Sequence, residues 1–133
     1  MSANVRARIL AEIEAERARQ DAKWGEQNHP DVWPHSWHEG VTPRMVAKEF
    51  GVPEATHARA NCDWAAQRGV CTWAHILVEE VAEVIEAATM AEHLRGSEHQ
   101  HAEDDVDREL VQLAAVCVSW LEARARRRAG GAR

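Results

Sequence analysis

The sequence predicts an all-α fold, an antiparallel helical bundle completed by oligomerisation. Three observations carry that prediction. Gly and Pro are scarce, 7 and 4 among 133 residues, and Tyr is absent; that composition favours helices over a sheet. Glycines and capping residues divide the chain into runs of helical length. Within those runs the apolar residues recur every three or four positions, the spacing of a helix face.

Residues 4–22 read as the first helix, with Val5, Ile9 and Ile13 on one side, Arg and Glu elsewhere, and Gly25 ending it. Residues 26–41 are irregular and hold Pro30, Pro34, Gly40, His29, His35, His38, Trp33 and Trp37. Thr42 and Pro43 look like an N-cap followed by proline at the first helical position, and Gly51 closes that short helix. Pro53 is read as opening a helix that runs to Arg68, with Gly69 past its end. Thr72 is placed to cap a helix from Trp73 to about residue 95, closed by Gly96. Residues 97–105 are polar, carry His99 and His101, and precede a last helix at about 104–128. A chain of this size is long enough for one domain with a real core. The expected domain is 1–129, with a Trp/His-rich loop at 24–44 and a frayed tail at 130–133.

The charge balance excludes some functions. A net charge of −6 argues against a nucleic-acid partner. The basic tail (Arg124, Arg126, Arg127, Arg128 and Arg133) reads as a solvated helix end, where cations suit the dipole. Cys62, Cys71 and Cys117 form no recognisable framework and point to a reducing compartment, with Cys117 in an apolar run as a core thiol. No signal core and no membrane-length apolar stretch is present, so a cytoplasmic protein with no membrane partner is expected.

The most informative stretch lies in the helix from Trp73. Glu79, Glu80, Glu83 and Glu86 stand there with no Lys or Arg between Ala74 and Leu94. Like charges three and four residues apart repel. Leu77, Val81, Val84, Ile85 and Ala88 form an apolar stripe, which puts Glu79, Glu83 and Glu86 on the far side and Glu80 at the boundary. In the last helix, Leu110 to Leu121 has only Gln112 and Ser119 as polar side chains. A helix apolar nearly all round needs more cover than one small subunit offers, so a subunit interface is expected. Glu109 precedes that run at the edge of the core. Glu79, Glu80 and Glu83 facing Glu109 and Gln112 would make a divalent-cation site between antiparallel helices. A solvated acidic face is the plainer alternative for any one pair. Four acids without a base, joined by a fifth at a core edge, favour the cation site.

The pattern Glu79-Glu80-x-x-Glu83, then 25 residues, then Glu109-x-x-Gln112 resembles the MazG-like nucleotide pyrophosphohydrolases. Their signature is EExxE followed by ExxD on the next helix. The block from Gln20 to Pro30 (Lys23, Trp24, Gly25, Gln27, Asn28 and His29 within it) resembles the first block of a bacterial and phage branch of that family, so the likeness spans roughly residues 20–124. The resemblance implies the all-α NTP pyrophosphatase fold in a homodimer or homotetramer. It implies Mg²⁺-dependent cleavage of a (deoxy)nucleoside triphosphate between the α and β phosphates, with Mn²⁺ as an alternative ion. Monophosphate and pyrophosphate are the products, and a water activated at the metal is the nucleophile. By motif match Glu79, Glu80, Glu83 and Glu109 are the catalytic metal ligands. Gln112 stands where the family has Asp, and its amide offers only a neutral carbonyl oxygen as ligand.

Substrate contacts follow from the same blocks. Lys23 is the leading phosphate-binding candidate, with Arg59 and Arg95 behind it. Trp24 either stacks on the base or plugs a helix end, while Gln27, Asn28 or His29 reads the base edge. His75, one turn before Glu79, either orients a ligand or donates a structural hydrogen bond. Trp33 and Trp37 form a lid or pack the loop; Trp64 reads as core, and Trp73 and Trp120 read as core or interface. A zinc site is rejected, because His35, His38, His99 and His101 have no adjacent Cys and eight residues separate Cys62 from Cys71. Two other outcomes stay open: a nucleotide binder weakened by Gln112, and a helical oligomerisation protein. Phosphoribosyl-ATP pyrophosphohydrolase chemistry is a narrower variant of the enzyme reading.

Overall fold

Each regular element of the computed structural model, which describes residues 2–32 and 42–131, is a helix. In chain order these are α1 (Ser2–Trp24), α2 (Pro43–Phe50), α3 (Ala55–Gln67), α4 (Trp73–His93) and α5 (Gly96–Gly130). The expected all-α class is therefore observed among the described residues. None of these helices is long and apolar enough to cross a membrane. The histidines and tryptophans of 33–41, namely Trp33, His35, Trp37 and His38, lie outside the described residues.

The chain forms two compact units, Met1–His29 with Ala115–Arg133, and Pro30–Ala114. In the first unit α1 buries Ile9, whereas Ile13 and Leu10 on the same helix are exposed. The buried carboxylate of Glu122 is not left alone: Arg6 Nε donates to its Oε1 at 3.2 Å. The exposed guanidinium of Arg6 offsets part of the cost of burying that charge.

The second unit holds the remaining architecture, and its helix ends follow local chemistry. Thr42 Oγ1 accepts from the Met45 backbone N–H at 3.3 Å, and Gly51 turns left-handed at φ 71° to end α2. Helix α3 starts at Ala55 rather than Pro53, and no side chain caps it. Helix α4 opens with a reciprocal capping box. Thr72 Oγ1 accepts from His75 N at 3.2 Å, and His75 Nδ1 accepts from Thr72 N at 3.1 Å. His75 Nδ1 is thus an acceptor at a helix start, whereas a structural donor was one of the two roles expected of this residue, the other being to orient a ligand.

Two small-residue contacts set the packing of α4. Ala82 is buried with Ala55 and Ala58 of α3. Around the other side, Ala88 and Ala91 are buried with Val32 and with Ala102 and Val106 of α5, and Phe50, Ala87 and Leu94 pack against them. Alanine at both seams lets the backbones approach closely. Because α4 is covered on two sides, Glu79, Glu83 and Glu86 are not on a solvated far face. They flank Ala82 at helical spacing and are half-buried, as are Leu77, Val81, Val84 and Ile85.

Three further expectations are corrected. Residues 97–105 belong to α5, which begins at Gly96. Ala102 and Val106, four apart, bury into the α4 seam, and the His99 ring nitrogen Nδ1 bonds the Ala91 carbonyl at 2.7 Å. That anchoring outweighs the polar composition of the segment. Cys117 is exposed in the single chain rather than a core thiol. Trp64 is 54% exposed and lies under the Arg68 guanidinium, 4.3 Å from its ring centroid; its neighbours Ala58, Cys62 and Ala65 take the buried face of α3 instead.

Candidate metal centre

Helices α4 and α5 bring three carboxylates together. Oxygens of Glu80, Glu83 and Glu109 lie within 4.8 Å of one another. The spacing accounts for it: Glu80 and Glu83 are one turn apart on α4, and the Ala88/Ala91–Ala102/Val106 seam holds the α5 backbone close enough for Glu109 to reach them. Two carboxylate oxygens of these residues, Glu80 Oε2 and Glu109 Oε2, are buried without a hydrogen-bond partner. An orphaned buried carboxylate oxygen is costly, and a proton or a cation relieves it. The charge state responds accordingly. Burial, and then the charges of Glu83, Glu109 and Glu79, raise the Glu80 pKa above the usual carboxylate value. Burial and then Glu83 raise that of Glu109, against a smaller opposing effect from Arg108.

Glu79 faces α3. Arg59 crosses to α4, donating from Nη2 to Glu83 Oε1 at 3.0 Å, with Nε 4.0 Å from Glu79 Oε1. The Glu83 bond, more than any other influence, raises the Arg59 pKa. The guanidinium thus compensates the side of the cluster that Glu80 and Glu109 do not share. Gln112 is exposed on α5, one turn beyond Glu109.

Glu83 and Glu109 of the cluster line a cleft of about 570 Å³, and Glu80 does not. Arg59, Glu83, Glu86 and Glu109 line it on one side, Met90 and Leu94 give it an apolar wall, and His101 and Arg108 reach it from α5. Arg108 is also bonded to Asp105, which lines the same cleft. The sequence expectations did not include His101, in the polar stretch before the last helix, or the Asp105–Arg108 pair, near the expected start of that helix, among the cleft residues. The available signal was the recurrence of 98, 101, 102, 105, 108 and 109 at helical intervals, with Ala102 marking the inward side.

His75 is engaged in the α4 cap. Lys23, Trp24, Gln27, Asn28 and His29 belong to the first unit. There the Lys23 ammonium sits 4.9 Å over the Trp24 ring, a cation–π contact, and Trp24 is half exposed. Asn28 donates to Glu26 at 2.9 Å, and Gln27 lies 3.5 Å from His29.

The residues present fit a hard divalent cation: all-oxygen donors, net negative charge, and two buried oxygens with nothing else to bind. No family model matches the sequence, and no curated protein or solved structure is significantly similar to it.

Proposed function

We propose that the protein is a Mg²⁺-dependent nucleoside triphosphate pyrophosphohydrolase, cleaving between the α and β phosphates to give monophosphate and pyrophosphate. The observation that carries this reading is the Glu80–Glu83–Glu109 cluster, with its two orphaned buried oxygens, set beside a cleft that holds two arginines. Glu80, Glu83 and Glu109 would hold the cation, with Glu79 at the rim and Mn²⁺ as an alternative ion. When bound, the cation supplies positive charge against the phosphate oxygens as charge builds on the leaving pyrophosphate.

The chain's own residues supply the rest. Arg59 and Arg108, which line the cleft, would bind the outer phosphates. Arg59 already bonds an anionic oxygen, that of Glu83, so exchanging it for a phosphate oxygen keeps its hydrogen bonds satisfied. Met90 and Leu94 offer the nucleoside an apolar wall. A carboxylate of the cluster takes the proton from the attacking water, and the apolar side of the cleft limits competing bulk water.

The test is pyrophosphate release from a panel of common and modified nucleoside triphosphates with Mg²⁺ or Mn²⁺. Wild type should release it, and Glu80→Gln should lower the rate at least about a hundredfold, the scale on which loss of one preorganised charged group acts. No release by wild type from any triphosphate sinks the proposal. Full activity of Glu80→Gln with unchanged helical signal removes the ligand assignment.

Exposed Gln112 favours a second reading, a nucleotide binder of the same fold that hydrolyses weakly. Gain of turnover in Gln112→Asp, with wild type binding but not cleaving, would select it. In either case we infer a homodimer or homotetramer, because Leu110, Val111 and Leu121 of α5 are exposed in the single chain.

A further inference from the structure

A second chemistry lies on the side of α4 that faces α3, and it does not depend on the hydrolase reading. Cys62 is buried on α3, and Cys71 is partly exposed in the connection between α3 and α4. Their sulfurs stand 3.7 Å apart, and both are free thiols. A disulfide needs about 2.05 Å between sulfurs, so they must close by roughly 1.7 Å. Cys71 sits between Val70 and Thr72 outside any helix, where a side-chain rotation and a small shift of the connection can supply that movement. Cys62 cannot move as easily, since Ala58 and Ala65 on the same face are buried too.

We propose that Cys62 and Cys71 are a redox pair that forms a reversible intramolecular disulfide when a peroxide oxidises the protein. Solvent reaches Cys71, so its sulfur attacks the peroxide. The O–O bond breaks, Cys71 becomes a sulfenic acid, and one water leaves. The Cys62 sulfur then attacks the Cys71 sulfur. An S–S bond forms, the S–O bond breaks, and the hydroxide leaves as a second water with the Cys62 proton. Two thiols lose two electrons and hydrogen peroxide gains them, so no other reactant is required.

The position of the pair gives this bond a consequence. Cys62 lies one turn after Arg59 on α3, and Cys71 directly precedes Thr72, the cap of α4. The bond would tie the helix that carries Arg59 to the start of the helix that carries Glu79, Glu80 and Glu83. It would hold the α3–α4 connection in one conformation without adding or removing a charge.

The test uses the full chain with Cys117→Ser, leaving the two thiols of interest. Equimolar hydrogen peroxide should abolish both free thiols, lower the intact mass by two hydrogen atoms, and link tryptic peptides 60–68 and 69–95. Dithiothreitol should restore both thiols. In Cys71→Ser, loss of the Cys62 thiol should slow by roughly tenfold or more, because the remaining sulfur is buried. In Cys62→Ser, Cys71 should accumulate as a sulfenic acid that dimedone traps. The proposal is overturned by linkage between molecules instead of within one, by oxygen addition without a link, or by thiols that survive peroxide doses sufficient to oxidise free glutathione. Equal oxidation of Cys62 in the presence and absence of Cys71 would overturn the order of attack.

Discussion

Glu80 and Glu109 are acids whose pKa values the fold pushes up, the reverse of a salt-bridged carboxylate. The consequence for stability has a definite sign. With pKa values raised above those of the unfolded chain, the folded state binds more protons in the window between the unfolded and folded values. Their contribution is fully present below the ordinary carboxylate range, about 4.3 for Glu, and is lost as pH rises through the raised values. Metal-free protein should therefore lose melting temperature on going from weakly acidic to neutral pH. Mg²⁺ or Mn²⁺ should restore it, by about 2.7 kcal/mol at a hundred times the dissociation constant. Glu80→Gln should flatten the pH dependence and stabilise the metal-free protein at neutral pH by about 0.5 kcal/mol, the scale of a like-charge pair one turn apart. The same variant should lose the response to the cation. Differential scanning calorimetry across pH, with EDTA or with cation, measures all three. A melting temperature that climbs with pH in EDTA would contradict the picture of two crowded, partly desolvated carboxylates.

At the scale of elements, α4 is fixed by how it starts. Thr72 and His75 satisfy each other's backbone N–H groups, and the same helix carries every α4 glutamate. Thr72→Ala should cost about 1 kcal/mol, read as a lower urea midpoint with an unchanged slope. An unchanged midpoint would mean that α3 packing alone holds the helix start. Caps of this kind explain why helices were legible in the sequence: Thr42, Gly51, Thr72 and the EExxE run needed only local chemistry. What was not legible depended on partners. Residues 97–105 look like a loop until Ala102 and Val106 find Ala88 and Ala91. Glu79 and Glu83 look solvated until Arg59 arrives from α3, 24 residues before Glu83 in sequence. The cluster itself was partly visible. Spacing brought Glu80 and Glu83 together, Glu109 entered from its place at the edge of the apolar run of the last helix, and the motif resemblance agreed with both. The orphaned oxygens and the cleft beside them belong to tertiary packing, which a one-dimensional pattern does not contain.

At the scale of the whole molecule, α5 presents a question of cover. Leu110, Ala114, Cys117 and Leu121 recur at intervals of four, three and four residues, the spacing of a coiled-coil seam, and all four are exposed in the single chain. Two-fold pairing of such stripes is self-complementary, since the same patch serves both copies. A mutation here separates two cases cleanly. Ala114 is exposed, so Ala114→Lys should change the stability of an isolated protomer by no more than about 0.5 kcal/mol. In an oligomer the same change puts two ammonium groups into an apolar seam and should drive dissociation, because buried unpaired charge costs several kcal/mol. Sedimentation equilibrium should give a multiple of the 14.9 kDa chain for wild type and the single-chain mass for the variant. The wild-type melting temperature should also rise with protein concentration, and that of Ala114→Lys should not. A wild type that stays at the single-chain mass at high concentration would show that α5 needs no second copy.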